Sequence, residues 1–312
     1  MQELHMNAVK VKEKQLIKLD TSQYIMEEKF KGIRCWRIKY PNRSVKLITR
    51  GGEDITRNFP HLVDFDWTPS VSSSQLDCEL YDPEQEDEVV SGWANRISID
   101  PSHTEGCILK AFGVLNLNGT DLASLPEIER KRILSSLKLR GPIEEVPYHT
   151  SEKHREFYEY IISTSNKYGK LGEGIMLKNI HATYLGGVRQ VGRWLKRKKR
   201  DPYDCVILGF TKAKDGKFFG LIGAVTVGQF FNGIIRPICE VSGMSDEVRK
   251  DMTMFPEVYV GKACSIWAAD QDKKSFALIE PSWHSLRIDK HPSECIYQNS
   301  EGISEDERMI EL

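Results

Sequence analysis

The 312-residue chain lacks a long apolar run, an excess of charge of either sign and closely spaced cysteines. Its uncharged stretches, such as Phe218 to Ile235, are interrupted by Gly, Gln and Asn. None reaches the roughly 20 apolar residues that a membrane-spanning helix needs, so no membrane partner is expected. The segment from Met1 to Lys14 is too polar for a signal peptide. With 44 Lys+Arg against 45 Asp+Glu, the chain is not a protein that coats polyanions over its whole surface. A local basic groove stays open. The seven cysteines, Cys35, Cys78, Cys107, Cys205, Cys239, Cys264 and Cys295, are odd in number and widely spaced. That pattern excludes a zinc ribbon, a C-x-x-C redox pair and a disulfide framework. It predicts free thiols in a reducing, cytoplasmic compartment. With 23 Gly and 13 Pro, a collagen-like or low-complexity chain is excluded as well.

What is present is an ordinary globular composition, 40 % hydrophobic and 29 % charged, and a length that predicts two domains. Residues 1–20 are charged and mixed, and predict a helix or a loose arm. From Tyr24 onward, short β-branched and aromatic runs end at turn residues: 24–30, 33–40, 44–50, 76–82 and 107–117. An acidic loop is expected after the fourth of these, because five of the seven residues 82–88 are Asp or Glu. Ser124, Pro126 and Glu127 predict a helix start, with Ile133, Leu134 and Leu137 as its apolar face. A second helix is expected over 151–167. Beyond Pro202 the runs 203–210, 218–227, 233–241, 257–269 and 275–281 predict five strands, with one helix at 245–252. That set suggests a small closed or nearly closed barrel. We place the boundary near residue 200, giving units 1–200 and 201–312. The acidic tail 301–312 is expected to fray.

Four constellations carry potential chemistry. Lys29, Gly32 and Arg34 form a strand-end corner in which a lysine can attack phosphorus once its amine is neutral. Solvated lysines on an ordinary hairpin fit the same pattern. The twelve residues 189–200 hold seven basic side chains and no acid. In a strand, Lys196 and Lys198 point to one face and Arg197 and Lys199 to the other. One face then suits a triphosphate and the other a nucleic-acid backbone, while a solvated basic linker or a targeting signal fits equally well. Asp77, Glu79 and Glu173 are acids on separate strands that can converge on Mg²⁺, or stay at the surface. Arg287, Asp289 and Lys290 form a late anion-reaching cluster or a plain turn.

The order of these motifs resembles that of the ATP-dependent DNA ligases, within the covalent nucleotidyltransferase superfamily. Lys29 to Arg34 resembles K-x-D-G-x-R. Thr49 to Gly52, followed by Thr56, Phe59 and Pro60, resembles the next motif. Leu76 to Leu80 resembles the D-G-E strand, and Ala111 to Leu115 the F-D-x-L strand. Glu173 to Lys178 matches E-G-x-M-x-K, Trp194 to Lys198 matches W-L-K-x-K, and Arg287 to Lys290 matches R-x-D-K. The match spans roughly residues 20–290 and is similar to the minimal bacteriophage and viral form.

The resemblance implies an α+β fold: a nucleotidyltransferase (adenylation) domain of antiparallel sheets with helices, then a small OB-fold β-barrel. It implies ATP and Mg²⁺ as cofactors, nicked duplex DNA as partner, and a monomer. Lys29 would carry AMP. Glu27 would sit where the adenine amino group is read, and Phe112 would stack on adenine. Arg34 would contact ribose or the nick phosphate. Glu79 and Glu173 would serve metal and ribose, and Lys196 and Lys198 the phosphates. Arg287 and Lys290 would orient pyrophosphate. Arg50, Lys31, Arg197 and Lys199 would face DNA. Three positions depart from the pattern: Lys31 stands where the motif has Asp, Cys78 where it has Gly, and Gly113 where it has Asp. The Lys31 exchange keeps three further readings alive: a catalytically silent nick-binding relative, rescue of the missing acid by Glu28 or another carboxylate, and a register in which Lys31 is the nucleophile. An RNA ligase or a capping-type guanylyltransferase of the same superfamily is the remaining alternative.

Overall fold

The computed structural model describes residues 4–297 apart from positions 12, 17, 65–69, 86, 98, 164–172 and 273. The chain divides between Lys199 and Arg200 into two compact units. Both are mixtures of helices and mainly antiparallel sheets.

Among the described residues the first unit holds two sheets. One runs β1 (Val9–Lys10), β11 (Trp194–Lys198), β10 (Gly174–Asn179), β2 (Tyr24–Glu28), β9 (Tyr148–His149) in spatial order. The other runs β4 (Val45–Thr49), β3 (Ile33–Lys39), β5 (Ser74–Tyr81), β6 (Ile108–Leu117), β7 (Thr120–Asp121). Its β8 (Ile143–Glu145) pairs parallel with β6. Period-two alternation gives each strand two destinations. From β3, Cys35 joins a cluster with Leu47, Leu76, Val114 and Leu134, whereas Trp36 and Ile38 point the other way. There they meet Leu115 of β6 and Trp194 of β11, with Phe112 and Met176 at the margin. The two sheets therefore share an apolar layer, and Phe112 and Trp194 belong to it. On the outer face of the first sheet, Met26, Ile175 and Leu195 pack with Ile161 of the helix His154–Ser163.

The second unit is built on an antiparallel sheet in the order β14 (Ile234–Val241), β13 (Ile222–Phe231), β12 (Asp201–Lys212), β15 (Ala263–Ala268), β18 (Ser282–Leu286). A separate two-stranded piece joins β16 (Asp270–Gln271) to β17 (Leu278–Ile279). Ser245 caps the helix Asp246–Met254 by accepting from the Val248 amide at 3.3 Å. Met252 of that helix joins Val225, Val227, Cys264 and Ile266 in the core.

Several expectations need correction. The amino-terminal arm is not loose. Residues 9–10 add a parallel strand beside Leu195 and Lys196, and Met6 is 1 % exposed. The run 257–269 starts as a short helix, Pro256–Tyr259, because Pro256 fits a first helical turn, and only Ala263–Ala268 is a strand. The run 275–281 contributes just two strand residues, while the polar Ser282–Leu286 is the true edge strand. The acidic loop gives way at Asp87 to a helix ending at Asn95, which buries Val90 and Ala94 four residues apart. The helix expected from Ser124 begins at Glu127. Its buried residues are Glu127, Arg130, Lys131 and Leu134, so three of the four are charged. The expected continuation of the later helix over 164–167, and the tail 301–312, lie outside the described residues.

Gly174 shows why a glycine opens β10. Its φ is +149°, and a Cβ there would stand 2.0 Å from the Arg197 carbonyl oxygen on β11. Gly174→Ala is expected to lower the unfolding free energy by at least about 1–3 kcal/mol, read as a lower urea midpoint at unchanged m-value.

Candidate active site

Lys29 leaves the end of β2 and its backbone amide still donates to the Gly174 carbonyl at 2.9 Å. The turn that follows needs Gly32, because a Cβ there would stand 2.2 Å from the Leu80 carbonyl oxygen. The glycine thus admits the neighbouring strand rather than a ligand. It brings the Lys29 corner alongside β5, where Glu79 sits opposite Arg34.

The Lys29 ammonium contacts the Glu173 carboxylate and donates to the Phe30 carbonyl at 3.2 Å. The Lys29 side chain is only 18 % exposed. Lys198 reaches the other oxygen of Glu173 at 3.1 Å. Around this group is a cavity of ≈ 180 Å³ lined by Glu27, Glu28, Lys29, Phe30, Arg34, Arg50, Glu79, Phe112, Met176, Lys178, Arg189, Trp194 and Lys196, together with Asn7 and Ala8. An apolar cavity of about 150 Å³ is enough for an aromatic ring. A wider hollow of ≈ 410 Å³ shares Arg34, Arg50 and Glu79 with this cavity and has Gly32, Thr49, Ser91 and Asn95 on its wall.

Of the residues singled out in the sequence, Glu27, Lys29, Arg34, Arg50, Glu79, Phe112 and Lys196 meet on the cavity wall. Glu173 and Lys198 join them through the Lys29 ion pairs. Lys31 sits half-buried on the β2–β3 turn. Arg197 and Lys199 are also half-buried, and the preceding outward residue of β11, Leu195, is core. The outer side of this strand is thus apolar for its first part rather than basic throughout. Arg287 and Lys290 belong to the second unit, where both hold Asp204, at 2.8 and 2.5 Å. Arg287 also grips Asp289 through two bonds of 2.9 Å.

The electrostatics follow from burial. Arg34 forms a two-pronged pair with Asp77 at 3.0 and 2.7 Å, and the Asp77 carboxyl is held below its ordinary range despite full burial. Tyr184 donates to the same carboxylate at 3.1 Å, and Arg34 donates to the Met6 carbonyl at 2.6 Å, which ties the amino-terminal arm to the site. His5 stacks on Trp36, and burial pushes its imidazole down to about 4. Burial pushes the Glu79 carboxyl up to about 7, with Lys29 and Arg34 only partly offsetting it. Burial also lowers Lys196, helped by the positive charges of Lys29, Lys198, Lys10 and Arg189. The Phe112 ring stands edge-on to Trp194 at 6.2 Å, with Lys178 4.6 Å above its centre and Arg34 5.3 Å away.

Asn7, Ala8, Lys178 and Trp194 also line the cavity, without being expected there from the sequence. The arm gave no local signal, since long-range pairing alone brings it in. Lys178 and Trp194 were visible as motif letters whose side chains only the paired strands β10 and β11 aim inward. Lys131 was also missed, because helical periodicity marks apolar faces and its face is charged.

A profile described as the ATP dependent DNA ligase domain matches residues 5–198. A probable DNA ligase of Dictyoglomus turgidum is 28 % identical over 223 residues, covering 66 % of this chain and 37 % of that protein. The chain thus spans well under half of that relative's length. The SPbeta prophage-derived DNA ligase-like protein LigB of Bacillus subtilis is 30 % identical over 201 residues, 62 % of this chain and 68 % of that one. A solved Lig E DNA ligase, described as binding DNA with a minimal scaffold, shares the fold with a TM-score of 0.59 at 18 % identity. It is matched over 92 % of this chain and 100 % of its own.

The raised Glu79 carboxyl makes a stability prediction for the ligand-free protein. Between about 4.5 and 7 the native state holds a proton that the unfolded chain has released, so stability falls as pH rises through that window. Glu79→Gln should gain on the wild type between pH 5 and pH 8 by on the order of 1–3 kcal/mol, measured by urea unfolding at both values.

Proposed function

The chain belongs to the ATP-dependent DNA ligase domain family, and we propose that it seals 5′-phosphate/3′-hydroxyl nicks in duplex DNA as a monomer. The observation that carries this reading is the seating of the Lys29 amine inside a cavity, between Glu173 and a wall holding Phe112, Trp194, Glu79 and Lys196.

In the first step the neutral Lys29 amine, freed from Glu173, attacks the α-phosphorus of ATP. A phosphorus–nitrogen bond forms, the bond to pyrophosphate breaks, and one proton leaves the nitrogen. AMP then passes from Lys29 to the 5′-phosphate of the nick. The 3′-hydroxyl attacks that activated phosphorus, and AMP leaves. Phe112 offers an apolar face for the base. Glu27 accepts from its amino group. Lys196 and Lys198 neutralise charge that develops on the phosphate oxygens. Arg34 faces ribose or the nick phosphate, and Arg50, with Lys31, Arg197 and Lys199, faces DNA.

Mg²⁺ would polarise the phosphate oxygens. Among the described residues no three acidic, His or Cys side chains gather into a metal cage. Glu79 and Glu173, close enough for Glu173 to raise the Glu79 carboxyl, suit an ion held by one or two carboxylates plus substrate phosphates. The second unit is read as the OB-fold domain. There Arg287 and Lys290 must exchange Asp204 for pyrophosphate. Seven free cysteines, six of them buried, fit a reducing compartment.

Incubation with ATP labelled at the α-phosphate should give an acid-labile protein adduct that falls at least about 10³-fold in Lys29→Ala. A label that persists in Lys29→Ala removes the mechanism. Labelling by GTP rather than ATP, or sealing of RNA nicks alone, moves the chain to the capping or RNA-ligase branch. Lys31 favours one further reading, a silent nick-binding protein. It holds if the wild type binds nicked duplex without labelling or sealing while Lys31→Asp restores both.

A further inference from the structure

We infer that Lys131, on the charged face of the helix Glu127–Ser136, is a positioning residue for base selection. It fixes the Glu27 carboxylate as the acceptor for the exocyclic amino group of the nucleotide base. This rests on the reading of the cavity as a nucleotide site.

A helix of this kind normally turns an apolar stripe to the interior. Here the interior receives Glu127, Arg130 and Lys131, with 1 %, 1 % and 0 % exposure. Together with Glu27 and Lys178, both 1 % exposed, they form one buried chain of charge. Lys131 contacts one oxygen of Glu27, and Lys178 contacts the other at 2.7 Å. Lys178 in turn lies 3.9 Å from Glu127. Glu127 accepts from the Trp194 indole at 3.0 Å and pairs with Arg130.

Such a network is a poor way to gain stability, since well-packed apolar side chains of equal volume often do as well or better. What it supplies is position. Its members on the cavity wall are Glu27 and Lys178, with Lys131 behind them on the helix. With an ion pair at each oxygen, the Glu27 carboxylate is restrained in direction. A carboxylate has about four acceptor sites, so it can still accept from a base. An acceptor fixed in advance loses little freedom on binding. A base with an amino group opposite it donates. A base with a carbonyl there sets acceptor against acceptor and is rejected. Lys178 also donates to the Phe112 carbonyl at 3.1 Å and lies over both aromatic rings, so changing it would disturb the stacking wall too. Lys131 touches the wall through Glu27, and its replacement isolates the positioning effect.

The test is the rate of adduct formation by the full chain with ATP and with inosine triphosphate, which carries a carbonyl in place of the amino group. Lys131→Met should raise KM for ATP about tenfold, leave the maximal rate nearly unchanged, and leave inosine triphosphate unaffected, so that the preference for ATP falls by the same factor. A purely structural role predicts a lower melting temperature and equal losses with both nucleotides, and an unchanged preference overturns the inference. If Lys131→Met does not fold by circular dichroism, Lys131→Arg decides. It keeps the charge but displaces it, so a folded Lys131→Arg with wild-type preference also overturns it. Failure of the wild type to take label from either nucleotide is a separate result, visible before any substitution. It removes the nucleotide reading and this inference with it.

Discussion

The contact between the Lys29 ammonium and the Glu173 carboxylate is the constraint on which the site depends. Lys29 follows β2 and Glu173 precedes β10, so the pair ties the reactive corner to the strand that lies beside β2. Two glycines make the contact reachable. Gly32 lets the turn pass against β5, and Gly174 lets β10 approach β11. Neither charge would be worth burying unpaired, and Lys198 shares the Glu173 carboxylate with Lys29. Once paired, they leave the lysine poised beside Glu79, Lys196 and two aromatic rings.

A second layer of charge lies behind the aromatic wall. Glu27, Lys131, Lys178, Glu127 and Arg130 are all nearly inaccessible, and the indole of Trp194 is hydrogen-bonded into the same set. The ring that closes the cavity and the carboxylate that faces it are therefore fixed by one network. The amino-terminal arm is fixed by another, through Arg34, Asp77 and Tyr184. Both networks trade desolvation for fixed direction, which is what a site for a polar ligand needs.

The legibility of these parts differed for physical reasons. Strands such as Ile33–Lys39 and Ile108–Leu117 announced themselves by β-branched and aromatic side chains between turns. The edge strand Ser282–Leu286 did not, because an edge position tolerates Ser and His. The motif residues Lys29, Glu79, Phe112 and Lys196 were found by their order along the chain, and they do share one cavity. Asn7, Ala8 and Lys131 were not found. Each meets residues far away in sequence, and no local pattern encodes such a contact.

The sequence by itself determined the alternation of buried and exposed faces, the glycine at each tight approach and the chemistry available at each motif. Those are properties of short segments, set by steric and hydrophobic periodicity. Only the tertiary structure decided which carboxylate meets which cation. It seated Glu173 on Lys29, Asp77 on Arg34 and Lys131 on Glu27. A charge carries no directional mark in sequence, and its partner is chosen by strand register and by how much water the surrounding packing excludes.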